Sequence, residues 1–325
     1  MPEPLLEVND LSVEYLTEAA AVRAVDRVSF AVEPHEFLGI VGESGCGKST
    51  LLFGVAQLLS PPGEVVGGRV IFRGEDMVGL GSESLRHMRW RDFSIVMQSA
   101  MNALNPMKSV GAQFRDTLEG HGRASEEEIQ QRSEEVLEMV GIDPAHLSSY
   151  PHQLSGGMRQ RAMIAMALLF APQLVMMDEP TSALDVVAQW SLMTKIKDLQ
   201  RELGFAVIFV THDMSVVRRF SDRMMVMYAG QVAEANRTAS IFARPLHPYT
   251  RGLLAAFPSV VGPRRELTGI PGVPPDLARP PSGCRFNPRC PDVMPACLTR
   301  EPELYSVDDA EVRCLLYEQQ SEEAV

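Results

Sequence analysis

The sequence predicts an α/β fold built on a parallel sheet, opened by a β-rich segment, interrupted by a helical insert and followed by a loop-rich tail. Two observations carry this reading. Apolar runs at residues 37–41, 174–177, 207–210 and 224–227 have the length of buried strands. Helical spacing at residues 48–59 and 186–203 falls between them, and alternation of strand with helix implies right-handed βαβ crossovers and a parallel sheet.

The elements follow in order. Residues 5–15 alternate apolar and polar like a half-buried strand, and residues 28–32 read as another. The apolar run 37–41 stops at a glycine-rich turn, and helical spacing resumes at Lys48. From 109 to 169 the pattern is helical: Ser125 followed by Glu128 forms a capping box, and Val136, Leu137, Met139 and Val140 share a face. Prolines crowd from Pro258 through Pro295 and periodicity disappears, so a loop-rich appendage is expected over 258–325. No repeat of fixed period and no low-complexity segment interrupts the chain.

Composition narrows the function. With 45% hydrophobic residues in 325, the chain can bury a substantial core. A net charge of −12 argues against nucleic acid as partner, because phosphate-backbone binders carry a basic face. The best apolar stretch, 163–177, is broken by Pro172 and Gln173, so any membrane role is expected to be peripheral. The N-terminal Met-Pro-Glu-Pro has neither a basic nor an apolar leader region, and a cytosolic chain is expected. Cys46 stands alone upstream, whereas Cys284, Cys290, Cys297 and Cys314 cluster near the C-terminus. In a reducing compartment such a cluster favours metal over disulfides.

The sharpest signal is Gly42-Glu43-Ser44-Gly45-Cys46-Gly47-Lys48-Ser49, with Thr50 next, placed between strand and helix. This is a complete G-x-x-x-x-G-K-[ST] phosphate loop for ATP. Its glycines let successive N–H groups face phosphate oxygens, and the helix N-terminus adds positive potential. Lys48 is expected to reach the β- and γ-phosphates and Ser49 to ligate Mg²⁺. A second element, the apolar run ending in Asp178-Glu179-Pro180, delivers two carboxylates at the C-terminal edge of a strand, where α/β sheets bind ligands. Asp178 is expected to hold Mg²⁺ through water and Glu179 to orient or deprotonate the attacking water. A solvated Asp-Glu turn is the bland alternative. Third, Ser155 can cap the helix that follows it, with Gly156 and Gly157 exposing its N–H groups as a second anion-binding terminus.

In this order, the elements resemble the nucleotide-binding domain of ABC transporters over residues 5–257, with a helical subdomain at about 100–165. The resemblance implies a P-loop NTPase with a RecA-like parallel-sheet core, an N-terminal antiparallel β-subdomain and an α-helical subdomain. Leu154 to Arg161 stands as the signature motif, which in the family closes over the γ-phosphate held by another subunit's phosphate loop. Met158 departs from the glutamine often found there. The likeness continues through Gln98 as the Q-loop glutamine touching Mg²⁺, Asp185 of the D-loop, His212 as the switch histidine and Tyr15 as the adenine-stacking ring. Glu179, His212 and Gln98 form the implied catalytic set.

Further segments resemble the ATP-binding subunits of dipeptide, oligopeptide and nickel importers: Asn105-Pro106, Tyr150-Pro-His-Gln, Tyr228-Ala-Gly-Gln, Pro245-Leu-His-Pro-Tyr-Thr250 and Cys284-Arg-Phe-Asn-Pro-Arg-Cys290-Pro. Ser99 and Ala100 depart from the family's Asp-Pro. The resemblance implies import at the cytoplasmic face of the cell membrane. The implied partners are two membrane-spanning permease subunits, a second ATPase subunit, identical or paralogous, and an extracytoplasmic substrate-binding protein. Peptide is the default cargo, with nickel or another small solute as alternative. A non-transport ABC ATPase is the runner-up, and a regulatory module without turnover ranks last because Glu179 and His212 are intact. The spacing C-x₅-C-x₆-C-x₁₆-C lacks the close pairs of structural zinc sites. Similarity to cysteine-bearing importer tails implies a [4Fe–4S] cluster on Cys284, Cys290, Cys297 and Cys314, with zinc or unmetallated thiols as the alternatives.

Overall fold

The computed structural model describes residues 3–18, 20–98, 103–122, 125–182, 184–256 and 269–319. The expected boundary at 257–258 and the departures Ser99 and Ala100 lie outside the described residues. The strands are β1 (Leu6–Leu16), β2 (Ala21–Val32), β3 (Phe37–Val41), β4 (Gly63–Phe72), β5 (Glu75–Asp76), β6 (Phe93–Val96), β7 (Leu174–Asp178), β8 (Ala206–Thr211), β9 (Arg223–Tyr228), β10 (Gln231–Arg237), β11 (Tyr305–Val307) and β12 (Ala310–Val312). The helices are α1 (Lys48–Val55), α2 (Ser82–Met88), α3 (Val110–Gly120), α4 (Glu126–Met139), α5 (Gly156–Ala167), α6 (Val186–Leu203), α7 (Met214–Phe220), α8 (Thr238–Ala243) and α9 (Pro248–Ala255).

The chain divides into two compact units, one drawn from 1–32, 38–78 and 210–325, the other from 33–37 and 79–209. In the first unit an antiparallel sheet runs β2-β1-β4-β5. Val8 pairs with Phe30 on one side and Val70 on the other. All three are buried, as the period of two demands when one face meets the core. A second sheet in this unit runs β11-β12-β10-β9-β3. Ile40 of β3 pairs in parallel with Met225 of β9, and β9 turns back antiparallel into β10. β3 is buried along its whole length, which explains its continuous apolar sequence. The tail is less irregular than its composition suggests. β11 and β12 form an antiparallel pair, and β12 joins β10 through Glu234↔Val312. Three-residue strands show too little alternation to be read from sequence. Val307, Ala310, Val312 and Cys314 bury with Leu246 in a small apolar cluster that anchors this pair.

In the second unit β6 and β7 pair in parallel, Val96 opposite Met177, and β8 lies beside β7. Phe37 and Phe209 pack edge to face at 5.3 Å. Gly204 ends α6 in the left-handed region at φ 75°, a conformation that costs a side-chain-bearing residue more than glycine. The helical segment contains α3, α4 and α5, and its caps are those the sequence offers. Ser109 accepts the Ala112 N–H, and Ser125 with Glu128 completes the expected capping box. Arg132 of α4 donates to the carbonyls of Leu168 at 2.7 Å and Leu169 at 2.8 Å, satisfying carbonyls at the end of α5 with a cation. α1 stops at Val55, short of the expected Leu59, because Gln57 turns the chain at φ 51°.

Candidate functional site

In the first unit β3 delivers the chain into the 42–47 loop and α1 carries it away, so the loop is held at both ends by regular structure. Gly47 sits at φ 102°, and a Cβ there would lie 2.2 Å from the Ala24 carbonyl oxygen. Only glycine fits both conditions. The Gly230 N–H donates to the Cys46 carbonyl at 2.9 Å, tying the loop to the β9–β10 turn. No side chain caps α1, and its first turn carries no acid. Its N-terminus therefore presents N–H groups and dipole to an anion. Lys48 is only 6% exposed, and its Nζ donates to the carbonyls of Gly42 at 2.8 Å and Glu43 at 3.0 Å. The lysine thus crosses its own loop, the position from which it can meet a phosphate. The Tyr15 hydroxyl lies 3.3 Å from Thr50 Oγ1, so this ring stands against α1. His212, in the same unit, is exposed and precedes Asp213, which caps α7 through the Ser215 N–H at 2.8 Å.

In the second unit the apolar strand β7 ends in Asp178, 1% exposed, and Glu179, at φ 47°. A left-handed glutamate is a strained conformation, and such strain concentrates at functional sites. Gln160 of α5 donates to the Pro180 carbonyl at 2.7 Å, fastening the turn after the carboxylates to this helix. Ser155 accepts the Met158 N–H at 3.3 Å, confirming its geometry as a cap. Arg159 donates to the carbonyls of Leu154 at 2.9 Å and Pro151 at 3.3 Å, so it holds the approach to the helix. Asp185 caps α6 through the Ala188 N–H at 2.9 Å, and Gln98 is exposed. Ser49 in the first unit, and Asp178 and Gln98 in the second, each carry a side-chain oxygen, the donor type that suits Mg²⁺.

Sequence reading missed the residues that hold the phosphate loop from α9 and from the tail. Tyr249 accepts the Glu43 N–H at 2.9 Å. Arg289 donates to both Glu43 carboxylate oxygens at 2.6 and 2.9 Å. The motifs Pro245-Leu-His-Pro-Tyr-Thr and Asn-Pro-Arg-Cys contain both residues, but nothing in either motif indicates a partner about two hundred positions away. Local geometry sets Tyr249 in place. Glu234 accepts the N–H groups of Leu246 and His247 at 2.8 Å each, and His247 Nδ1 accepts that of Tyr249 at 2.9 Å.

The tail cysteines share one neighbourhood. The Cys284 N–H donates to the Cys297 carbonyl at 2.9 Å. Burial pushes the Cys290 thiol up to about 11 and the Cys314 thiol to about 12, and in both the nearby cysteines add to the rise. Yet among the described residues no three His, Cys, Asp or Glu side chains are grouped so as to hold a metal ion. The [4Fe–4S] expectation therefore finds no support in the side-chain positions.

Residues 25–182 match the ABC transporter family and residues 233–297 the oligopeptide/dipeptide transporter C-terminal region. The chain is 42% identical to the dipeptide transport ATP-binding protein DppD of Caldanaerobacter subterraneus, over 97% of this chain and 98% of that one. It is likewise 42% identical to the oligopeptide transport ATP-binding protein OppD of Bacillus subtilis, covering 94% of this chain and 86% of its relative. Among solved structures it resembles the ATP-binding cassette MJ0796, in a dimeric post-hydrolysis state bound to ADP and Pi. The TM-score is 0.64 at 28% identity, covering 72% of this chain and 98% of that one. CbiO1 of Clostridium perfringens, part of the transporter complex cbiONQ, gives a TM-score of 0.65 at 26% identity, covering 74% of this chain and 92% of that one.

Proposed function

This chain belongs to the ATP-binding subunits of ABC transporters, in the dipeptide and oligopeptide importer group, and from that premise we propose that its ATP hydrolysis drives peptide uptake through separate membrane-spanning subunits. The observation that carries the proposal is a phosphate loop already in cradle form, on a chain whose 233–297 segment is of the oligopeptide/dipeptide type. Among the described residues no helix is long and apolar enough to cross a membrane. In this reading the spanning path belongs to other chains, and this one works at their cytoplasmic face.

In the proposed cycle the 42–49 loop and the α1 N-terminus bind the phosphates of MgATP, with Lys48 exchanging its carbonyl partners for phosphate oxygens. Ser49, Asp178 and Gln98 would hold the Mg²⁺, and Tyr15 would stack on the adenine. Ser155, Gly156 and Gly157 of a second ATPase subunit close over the γ-phosphate, with Asp185 at the junction. ATP contacts made only in the closed dimer shift the population towards closure. Glu179 then orients water for attack while His212 contacts the γ-phosphate, and hydrolysis removes the bridging group. An extracytoplasmic binding protein supplies the solute, and the helical segment between Gln98 and Ser155 meets the permeases.

The finer reading of the tail is a [4Fe–4S] cluster on Cys284, Cys290, Cys297 and Cys314. Its support is a thiol-only donor set concentrated in one segment of the sequence. Its role would be structural or redox-sensing, outside the ATP chemistry.

Affinity purification of the tagged chain from detergent-solubilised membranes tests the assignment. Recovery with two spanning proteins, and ATP-dependent peptide uptake by the reconstituted assembly, is the expected result. Recovery with ribosomes or DNA would sink the transport reading.

A further inference from the structure

Glu43 is an awkward residue for its position. It lies inside the loop that must receive the most negative part of ATP, and an uncompensated carboxylate there repels phosphate. The structure answers that charge from the tail. Arg289, 7% exposed, forks onto both Glu43 oxygens. The bidentate pairing holds the guanidinium even more firmly protonated than usual. The arginine is itself fixed: its Nε donates to the Pro271 carbonyl at 2.8 Å, and its guanidinium lies 5.8 Å from the Tyr228 ring centre. A Glu43 side chain engaged this way, with its N–H on the Tyr249 hydroxyl, turns towards the tail. A similar pairing lies nearby, where Arg285 bridges Asp26 and the Ala229 carbonyl beside the β9–β10 turn that ties down Cys46.

We propose that Arg289 is a positioning residue for nucleotide binding: the tail neutralises Glu43 and holds the phosphate loop in its anion-accepting form. The appendage is then part of the ATP site's electrostatics, and displacement of the 287–290 turn is felt as weaker nucleotide binding. This rests on the reading of residues 42–49 as the phosphate loop, and acts through Glu43 without Arg289 touching ATP.

The test is titration of the full chain with a fluorescent ATP analogue and Mg²⁺, with folding checked by circular dichroism and thermal melting. Arg289→Ala is expected to weaken binding about tenfold, the loss of a charge-assisted bidentate pair beside an anion site. Adding Glu43→Gln to Arg289→Ala removes the exposed negative charge and should restore several-fold of that loss. A purely structural role for Arg289 would show no such restoration. Arg289→Lys keeps the cation but loses the fork, and should cost about threefold; it is the variant to read if Arg289→Ala does not fold. Wild-type affinity in the variant that folds, or a double variant no tighter than Arg289→Ala, overturns the proposal. Lys48→Ala run alongside separates the two levels. If it too binds normally, the phosphate-loop reading has failed; if it alone is defective, only the role of Arg289 has.

Discussion

At the scale of single residues, His247 fixes the start of α9, whose Tyr249 hydroxyl meets the phosphate loop. His247 is 3% exposed, and burial pushes its imidazole from 6.5 down to about 3. It therefore stays neutral at physiological pH, leaving Nδ1 free to accept the Tyr249 N–H. The sign of the linkage follows. Below about 6.5 the unfolded chain takes up a proton that the folded chain refuses until about 3, so this residue's contribution falls as pH drops through that window. The slope approaches about 1.4 kcal/mol per pH unit for one such group. His247→Asn, whose side-chain oxygen can accept the same N–H without titrating, should lose this share of the acid-side slope in denaturant melts between about pH 6.5 and 5. An unchanged slope would show that His247 is not the titrating group.

At the scale of elements, what could be read from sequence was what is encoded locally. The 42–49 loop, the Ser125–Glu128 capping box and the α6 span all depend on residues a few positions apart. β4 was not expected, because Gly67 and Gly68 break its alternation, and four-residue β6 is too short to show a period. The tail strands and the Arg289–Glu43 pair depend on partners brought together only by the finished fold. The cysteine spacing likewise announces a cluster of thiols without fixing where each Sγ points. Anaerobic purification settles that element's chemistry: a brown protein with about four irons and four acid-labile sulfides per chain is expected if the cluster forms. A colourless preparation with one zinc and no iron would remove it and leave the ATPase reading intact.

At the scale of the whole molecule, the proposed cycle alternates between nucleotide-bound and nucleotide-free states. In the proposed division of labour the 42–49 loop would bind phosphate, the β7 carboxylates would serve Mg²⁺ and water, and the Ser155 terminus would meet phosphate across a dimer. Such a division of labour predicts that chemistry can be stopped without stopping closure. Glu179→Gln is the measurement that asks this most directly, since it removes the group proposed to handle water and leaves Lys48 and Asp178 in place. With MgATP, the variant should keep near-normal nucleotide affinity, hydrolyse at least about a hundredfold more slowly, and accumulate as a dimer by size-exclusion chromatography with light scattering. Wild-type turnover by Glu179→Gln, with no dimer trapped by ATP, would contradict the account.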